Sequence, residues 1–381
     1  MSSSEGRKRY AAVWGNGDYG RLGFGSLESQ WRPKLVDSSS FHNQNLKSIS
    51  CGGAHTLFLT ETGRVYATGL NDFGQLGISD NNTYCMEPLE VSRLKKEIVQ
   101  ISAGYHHSGA ITEAKKAVPL PTKVECLSGI NIKMVALASE HSVAITGLWR
   151  AGLKLGRRRI WATSTGVPYF KVMNLGGMNL FTIRSAIVSL SLRCEYTPRH
   201  IKKLEGVKVK NIAAGLLHSA CIDENGSVYV FGERAVDKLG FGDANNATTP
   251  SMIRKLPYSQ EVASGGYHTC VDKICFVDSS TDVLHLPERV EGPFLRSPVD
   301  KVSCGWKHTA VISDGNVFTW GWGGSHGTFS EDGLSSGGQL GHGDDIDYVN
   351  PTLVAFEKKM KALEVSCGFN HTGAILESIE A

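Results

Sequence analysis

Apolar and polar residues alternate along the chain in short runs that are separated by glycine-containing turns. The clearest example spans residues 55–69, where apolar positions alternate at 57–59 and again at 65–67 around a Glu-Thr-Gly turn at 61–63. This pattern is typical of a β-hairpin. A further strand fits residues 88–91, so one unit of the pattern predicts about four strands.

One phrase, G-x-x-H-[S/T] followed by alternating apolar residues, recurs along the whole chain. Its marker histidines are His55, His107, His141, His218, His268, His308 and His371. Its marker glycines are Gly52, Gly104, Gly215, Gly265, Gly305 and Gly368, and the remaining copy has Ala138 in that place. Such self-similarity indicates one structural unit copied about seven times.

A second phrase, W-G-x-x-x-x-G-x-L-G, interleaves with the first. It is clear at residues 14–23 and 68–77, and weaker at 231–240 and at 320–341, where an insertion divides it. Its glycines stand where tight turns need positive φ. The string also contains G-x-G-x-x-G at 15–20, but a dinucleotide site needs a following helix, so we predict a turn there.

The two ends of the chain are complementary halves of one unit. Residues 10–23 have the second phrase without the first, and residues 368–376 have the first without the second. A closed ring of blades requires such sharing, and closure removes exposed sheet edges. We therefore predict an all-β fold, a seven-bladed β-propeller of four-stranded antiparallel blades, in one domain over residues 10–381. Residues 1–9 should be a short disordered N-terminus.

Several units depart from the template, so we expect several incomplete blades. The 34-residue interval after His107 and the 40-residue interval after His268 each lack the second phrase. We expect missing strands near residues 114–118 and 272–283. The 63-residue interval after His308 has its surplus in a Gly/Ser-rich stretch at 323–337, which predicts a surface loop.

Residues 147–194 fit no part of the repeat. They contain eight Lys or Arg and no Asp or Glu, and without them the net charge would fall by eight, from +3 to −5. One interpretation is a basic insertion that binds nucleic acid. The other is sequence foreign to the fold, from an altered splice or a shifted reading frame. Either way we expect an irregular basic segment without regular blade structure.

Composition narrows the class of protein. The 43 glycines suit a turn-dense all-β chain. Nine cysteines form no C-x-x-C pair, and three share a repeat position with Ala and Ser, which predicts reduced thiols in an intracellular compartment. No apolar run is long enough to span a membrane. Residues 1–9 have no apolar stretch, so we expect neither a signal nor a transit peptide there.

Candidate chemistry is sparse. One histidine per blade would be spread around a ring rather than converge on one metal ion, so we predict that each imidazole hydrogen-bonds backbone within its own blade. Neighbouring His106 and His107 should face opposite sides of a strand and make a poor chelate. No nucleophile elbow, zinc-protease helix or carboxylate pair stands out. We expect no catalytic residue, cofactor, metal ion or small-molecule substrate.

The two interleaved phrases resemble the regulator-of-chromosome-condensation repeat family, over about residues 10–113, 119–146 and 195–381. WD-type and kelch propellers fit worse. Residues 14–20 and 318–329 look most like plant mitochondrial members, which are associated with transcript splicing and assembly of respiratory complex I. The resemblance therefore implies a mitochondrial location, otherwise nucleus or cytosol, although no presequence is visible.

The resemblance implies a non-enzymatic scaffold for protein or RNA–protein partners, such as splicing factors, with RNA contacted indirectly. The alternative is a guanine-nucleotide exchange factor for a Ran-like small GTPase, as in the founding member, although no stretch matches its β-wedge. A light-sensing branch of the family has several G-W-R-H-T phrases whose tryptophans cluster. This chain has one such phrase, with Lys in place of Arg, so we expect no tryptophan cluster with cationic partners and no photoreception. The candidate partner surface is Trp306, Lys307, Trp322, Ser325 and His326.

Overall fold

The computed structural model is built almost entirely from antiparallel β-strands. It describes residues 7–78, 82–94, 97–112, 132–139, 141–146, 150–151, 154–155, 160–164, 199–232, 247–253, 256–272, 274–277, 288–293, 297–324 and 337–379. These residues form seven sheets and one small hairpin. The sheets are a closing blade, made from both ends of the chain, and blades 1 to 6 in chain order.

The first part of the chain supplies half of the closing blade and then blades 1 to 3. The chain opens with β1 (Arg9–Gly15) and β2 (Gln30–Leu35). Blade 1 contains β3 (Leu46–Cys51), β4 (His55–Thr60), β5 (Val65–Leu70) and β6 (Tyr84–Glu90). Within the described residues, blade 2 contains β7 (Ile98–Ala103) and β8 (Ser108–Thr112). The next strands are β9 (Ile132–Leu137), β10 (His141–Thr146), the hairpin β11 (Arg150–Ala151) and β12 (Lys154–Leu155), β13 (Ile160–Ser164) and β14 (Arg199–His200). Blade 3 joins β9, β10, β13 and β14.

The second part supplies blades 4 to 6 and completes the closing blade. Blade 4 contains β15 (Val209–Ala214), β16 (His218–Asp223), β17 (Val228–Gly232) and β18 (Ala247–Met252). Blade 5 contains β19 (Val262–Ser264), β20 (His268–Val271), β21 (Ile274–Val277) and β22 (Glu288–Arg289). Blade 6 contains β23 (Lys301–Cys304), β24 (His308–Ser313), β25 (Asn316–Gly321) and β26 (Tyr348–Leu353). The chain ends with β27 (Met360–Cys367) and β28 (His371–Ser378).

The two ends of the chain pair with each other, as the complementary half-units predict. The closing blade has the strand order β2-β1-β28-β27. The register between β1 and β28 runs from Arg9 opposite Glu377 to Gly15 opposite His371. The chain is therefore a closed seven-bladed β-propeller, and β1 begins at Arg9 rather than at Tyr10.

The hydrophobic core lies between neighbouring blades. All six residues of β4 are buried, because successive side chains point to opposite faces of a sheet and both faces are covered. Leu57 and Leu59 pack with Ile101 of blade 2, whereas Phe58 packs with Ile375 of the closing blade. A strand in the middle of a blade therefore reads as a continuous apolar run.

Helical structure is minor. The described helical segments are 3-10 turns at Asp18–Gly20, Ser38–Phe41 and Lys202–Leu204. No helix among the described residues is long and apolar enough to cross a membrane. The first of these turns lies within the G-x-G-x-x-G string, where Gly20 N–H bonds to Gly17 O at 2.9 Å, so this string forms the predicted turn.

Two predictions of missing structure are wrong where the structure describes the residues concerned, in blade 5 and at residues 160–164. Blade 5 has four strands, because β21 and β22 pair without any W-G phrase. The 147–194 segment was expected to be irregular, yet its β13 pairs with β10 over five residues, from Ile145 opposite Ile160 to His141 opposite Ser164. The predicted gap at 114–118 lies outside the described residues, as do residues 165–194.

Candidate functional site

The G-x-x-H turns meet around the propeller axis and bond to one another there. In five of the described turns, the residue after the marker glycine (Gly53, Tyr105, Leu216, Gly266 and Phe369) donates its N–H to the carbonyl at the corresponding glycine position of the next blade. Gly53 N–H bonds to Gly104 O at 3.1 Å, and Phe369 N–H bonds to Gly52 O at 3.0 Å across the seam between the closing blade and blade 1. The blades are therefore linked by backbone near the axis.

The marker position needs glycine because two groups approach its Cα closely. A Cβ on Gly52 would lie 2.5 Å from Gly104 O and 2.5 Å from His55 Cε1. The same two kinds of neighbour, a carbonyl of the next blade and the imidazole of the same blade, surround the other marker glycines. Carbonyl and imidazole are both fixed by hydrogen bonds, so a side chain at Gly52 would displace the link.

The marker histidines form a second set of links, and here the prediction was wrong. Each Nε2 bonds to a Ser or Thr hydroxyl of the next blade instead of backbone in its own blade. The pairs and their distances are His55–Ser108 2.9 Å, His107–Ser142 3.1 Å, His141–Ser219 2.7 Å, His218–Thr269 2.6 Å, His268–Thr309 2.7 Å, His308–Thr372 2.9 Å and His371–Thr56 2.9 Å. The seven bonds close a complete ring, so the histidines hold blades to one another.

The hydroxyl partners fix which imidazole nitrogen carries the proton. Ser108 Oγ donates its only proton to Gln75 O at 2.7 Å, and Thr372 Oγ1 donates to Gln339 O at 2.8 Å. Each hydroxyl must then accept from histidine, so His55 and His308 are neutral with the proton on Nε2. Burial lowers the pKa of both imidazoles to about 3, which keeps them neutral.

The residue after the marker glycine determines which side chains occupy the space between neighbouring G-x-x-H turns near the propeller axis. Gly53 of blade 1 and Gly266 of blade 5 have no side chain there, and the aromatic residue of the following blade occupies the space. A Cβ on Gly53 would lie 3.0 Å from the ring of Tyr105, and a Cβ on Gly266 would lie 2.6 Å from Trp306 O. These glycines let aromatic rings spread across the neighbouring turns.

The rings form one continuous aromatic cluster on this face. Trp306 stacks on Phe369 with centroids 4.2 Å apart and planes at 15°. Phe369 meets Tyr105 at 5.2 Å, and Tyr105 meets His106 at 4.3 Å. We call Phe73, Tyr105, His106, Tyr267, Trp306, Trp322 and Phe369 the axial aromatic cluster. It joins residues from blades 1, 2, 5 and 6 and the closing blade.

Three of the five predicted partner-surface residues lie in or on this cluster. Trp322 meets Trp306 edge to face at 5.6 Å. Lys307 is exposed, and its Nζ lies 4.6 Å from the Trp306 ring. The prediction that no tryptophan cluster forms is therefore wrong, since the W-G phrase of blade 6 supplies the second tryptophan. Ser325 and His326 lie outside the described residues.

Sequence reasoning missed Tyr105, Phe369 and Tyr267. All three stand between the marker glycine and the marker histidine, so the repeat itself held the signal. His106 and His107 differ as expected. His106 is exposed and packs 4.5 Å from the ring of Phe73, whereas His107 bonds Ser142.

The two described ends of the 323–337 insertion are held by hydrogen bonds next to Trp322. Gly338 N–H bonds to Gly323 O at 3.0 Å, and Gly323 N–H bonds to Asp347 Oδ1 at 2.9 Å. Gln339 Nε2 donates to Trp322 O at 2.9 Å. The described ends of the insertion therefore leave the propeller beside the axial aromatic cluster.

One group of side chains has the composition of a metal site. The ligand atoms of His268, Cys270 and Cys304 lie within 4.8 Å of one another. However, Cys270 is disulfide-bonded, and His268 Nε2 bonds Thr309 Oγ1 at 2.7 Å. These groups already have structural roles, and the expectation that all cysteines are reduced is wrong at Cys270. Burial raises the pKa of the Cys367 thiol to about 12, so that thiol stays protonated.

Comparison with known families and sequences gives matches along the chain. A model described as the Regulator of chromosome condensation (RCC1) repeat matches residues 13–59, 62–111 and 333–375, and a second with the same description matches residues 46–75. The Ultraviolet-B receptor UVR8 of Arabidopsis thaliana is 27% identical over 96% of this chain and 70% of its own length. The RCC1 domain-containing protein RUG3, mitochondrial, of Arabidopsis thaliana is 27% identical over 67% of this chain and 57% of its own length.

Other similar proteins are much larger or share only the fold. The probable E3 ubiquitin-protein ligase HERC4 of Homo sapiens is 25% identical over 96% of this chain, but the match covers only 29% of the ligase. Human WBSCR16 aligns over 98% of this chain and 100% of its own, with a TM-score of 0.71 and 18% identity. Prp20p of Saccharomyces cerevisiae aligns over 98% of this chain and 92% of its own, with a TM-score of 0.70 and 18% identity.

Proposed function

Because the chain belongs to the regulator of chromosome condensation (RCC1) repeat family, we propose that it is a non-enzymatic propeller scaffold that binds protein partners. The observation that carries the proposal is the axial aromatic cluster with Lys307 exposed beside it. Aromatic residues are enriched in protein interfaces and in the residues that dominate binding energy. The cluster lies where several blades contribute to one surface.

The ring behind the cluster supports this role. Seven imidazole–hydroxyl bonds and the backbone bonds between turns fix the blades that supply the rings. A surface that is already ordered loses little conformational freedom when a partner binds. Propeller loops on such a frame can therefore serve as contact surfaces.

We further propose partners in plant mitochondrial transcript splicing and complex I biogenesis. Support comes from the similarity to RUG3, a mitochondrial RCC1 domain protein. In this proposal the chain acts inside the cell and binds splicing proteins, and RNA is contacted through them. Nucleus or cytosol is the alternative location.

The experiment is capture of partners from a plant mitochondrial extract with the purified chain. We expect recovery of splicing proteins or of the transcripts that they bind. The Trp322→Ala variant should lose this recovery. The matched control is Tyr258→Ala, since Tyr258 is exposed and lies at the opposite end of the blades, beside the Gly226 turn. Recovery of neither class, or equal recovery with Trp322→Ala, would count against the scaffold role.

A second candidate function is guanine-nucleotide exchange on a Ran-like small GTPase. It is favoured by the similarity in fold to Prp20p, whose crystal structure was described with its binding to Gsp1p and histones. A nucleotide-release assay separates the two functions. Acceleration of release from a Ran-like GTPase at micromolar protein would favour exchange activity, and an unchanged rate would favour the scaffold without this activity.

A further inference from the structure

Three rings of the axial aromatic cluster form the walls of a small cage. Trp306 and Trp322 stand nearly perpendicular, with planes at 87° and centroids 5.6 Å apart. Tyr267 closes a third side, tilted 49° from Trp306 at 5.9 Å. Such an arrangement presents the negative faces of several rings to one point.

An ammonium group already lies at that point. Lys307 Nζ is 4.6 Å from the Trp306 centroid, 5.5 Å from that of Tyr267 and 5.7 Å from that of Trp322. All three distances are within the range of cation–π attraction. Phe369 covers one face of Trp306, so the ammonium lies against the other face.

The contacts of Lys307 show what holds it there. Its side chain is exposed, and among the described residues no carboxylate pairs with its ammonium, in contrast to Lys301, which pairs with Glu261 at 3.2 Å. Among the described groups, the three aromatic rings are therefore the ones that attract the Lys307 ammonium. An exposed lysine can swing into water and leave the cage to another cation.

We propose that this cage binds a trimethylated lysine side chain of a partner protein, and that Lys307 is the internal occupant that the ligand displaces. An unmodified ammonium is compact and strongly hydrated, so it loses much solvation in a cage of rings. A trimethylammonium group keeps the charge, has less hydration to lose, and offers methyl groups to the ring faces. Aromatic cages recognise quaternary ammonium ions in this way.

The walls are braced before any ligand arrives. Trp306 is stacked on Phe369 and lies over Gly266, where a Cβ would meet it. Trp322 N–H bonds to Lys307 O at 2.9 Å, and Gln339 Nε2 donates to Trp322 O. Rings that are already placed reduce the cost of binding, so even a weakly attracted ion should find a formed site.

The proposal rests on the use of this face for partners, but a small probe tests the cage by itself. Tetramethylammonium and a short peptide with one trimethyllysine are titrated against the full chain, with tryptophan fluorescence and calorimetry as readouts. The reference peptides contain unmodified lysine or the uncharged carbon isostere of trimethyllysine. If the cage binds the trimethyllysine peptide and no splicing partner is captured, the proposal of splicing partners fails and the cage stands.

We expect the trimethyllysine peptide to bind at least tenfold more tightly than both reference peptides. Lys307→Met removes the competing cation and should tighten binding by about three- to fivefold, the effect of one exposed cation–π contact. Trp322→Ala should abolish binding. The control Lys34→Met removes a lysine that lies 4.7 Å from a single ring, Phe24, and should have no effect.

Four outcomes would overturn the proposal. They are equal binding of the charged and uncharged peptides, weaker binding by Lys307→Met, undiminished binding by folded Trp322→Ala, and binding to phosphatidylcholine vesicles in preference to the peptide. The last result would assign the cage to a lipid headgroup. Lys307 is exposed and holds no described ion pair, so we expect Lys307→Met to remain folded. If Trp322→Ala does not fold, the change in peptide affinity caused by Lys307→Met still tests the proposal.

Discussion

His371 in the closing blade donates a hydrogen bond from Nε2 to Thr56 Oγ1 in blade 1, at 2.9 Å. Thr56 Oγ1 in turn donates to Arg21 O at 2.7 Å. Both side chains are fully buried. This pair lies at the contact between the closing blade and blade 1. The buried Thr56 hydroxyl therefore helps to hold the propeller closed.

Thr56→Val keeps the shape of the side chain and removes the hydroxyl. His371 N–H and Arg21 O then lose a buried partner, which costs about 2 kcal/mol in the free energy of unfolding. Chemical denaturation of the purified variant measures this loss. Thr352→Val is the control, because Thr352 lies on an outer strand and its hydroxyl donates to the nearby Asn350 O. Equal stability of Thr56→Val and the parent would contradict the role of the seam.

The histidine ring predicts that acid destabilises the fold. Burial lowers the pKa of His308 to about 3 and of His141 to about 4, while an unfolded imidazole titrates near ~6.5. Between these values the unfolded chain binds protons that the folded chain does not. The free energy of unfolding should therefore fall as pH drops from about 6.5 to about 4, by about 1.4 kcal/mol per pH unit for each such histidine.

Guanidinium midpoints at pH 7, 6 and 5 test this dependence. His308→Gln retains an N–H that can donate to Thr372 Oγ1 and does not titrate, so its stability should fall less steeply in acid. His42→Gln, which removes an exposed imidazole outside the ring, serves as the control. Parallel pH profiles for His308→Gln and the parent would rule out the proposed contribution of the ring.

Closure of the fold could be predicted from the sequence because the terminal half-phrases are complementary. Trp14 has a W-G phrase with no marker histidine before it, and His371 has no W-G phrase after it. The partner of each histidine could not be found so directly, since a hydrogen bond between blades depends on how blades are placed. The recurrent Ser or Thr after each histidine was nevertheless a usable signal.

Strands without the repeat phrase were harder to predict. Ile274–Val277 pairs with His268–Val271 although no glycine phrase follows, because an open sheet edge accepts any extended chain that can satisfy its backbone groups. The axial aromatic cluster depends on contacts between Tyr105 and Phe369, which are 264 residues apart in the sequence. Only the ring geometry brings them within 5.2 Å.

Glu364 predicts the opposite pH dependence to the histidines. It lies at the interface of the closing blade and blade 1, where Ser48 Oγ donates to Oε1 at 3.0 Å and Ile49 N–H donates to Oε2 at 3.3 Å. Burial raises its pKa to about 7, despite these two donors. Since the folded pKa is above that of an unfolded glutamate, stability should fall as pH rises from about 4.5 to about 7.

Glu364→Gln removes this titration. Between pH 5 and pH 8 the free energy of unfolding should therefore fall less in the variant than in the parent. Denaturant midpoints at these two pH values measure the difference. Glu357→Gln is a suitable control, because Glu357 lies in the exposed connection before β27. If the free energy of unfolding changes by the same amount between pH 5 and pH 8 in Glu364→Gln and in the parent, burial of this carboxylate has no net cost.

The axial aromatic cluster depends on a residue that has no side chain. A Cβ at Gly266 would lie 2.6 Å from Trp306 O and would also meet the indole ring, so Gly266→Ala should push Trp306 away from Tyr267 and Phe369. Because the blade strands do not use Gly266 as a core residue, the fold should persist with only a modest loss of stability. The near-ultraviolet circular dichroism of the aromatic cluster should weaken, and the tryptophan emission should shift.

Ser139→Ala is the control, since Ser139 is at the corresponding position of blade 3 and already has a Cβ there. An unaltered aromatic spectrum in folded Gly266→Ala would mean that the rings do not need this gap, and the cage built on Trp306 would then lack its structural basis.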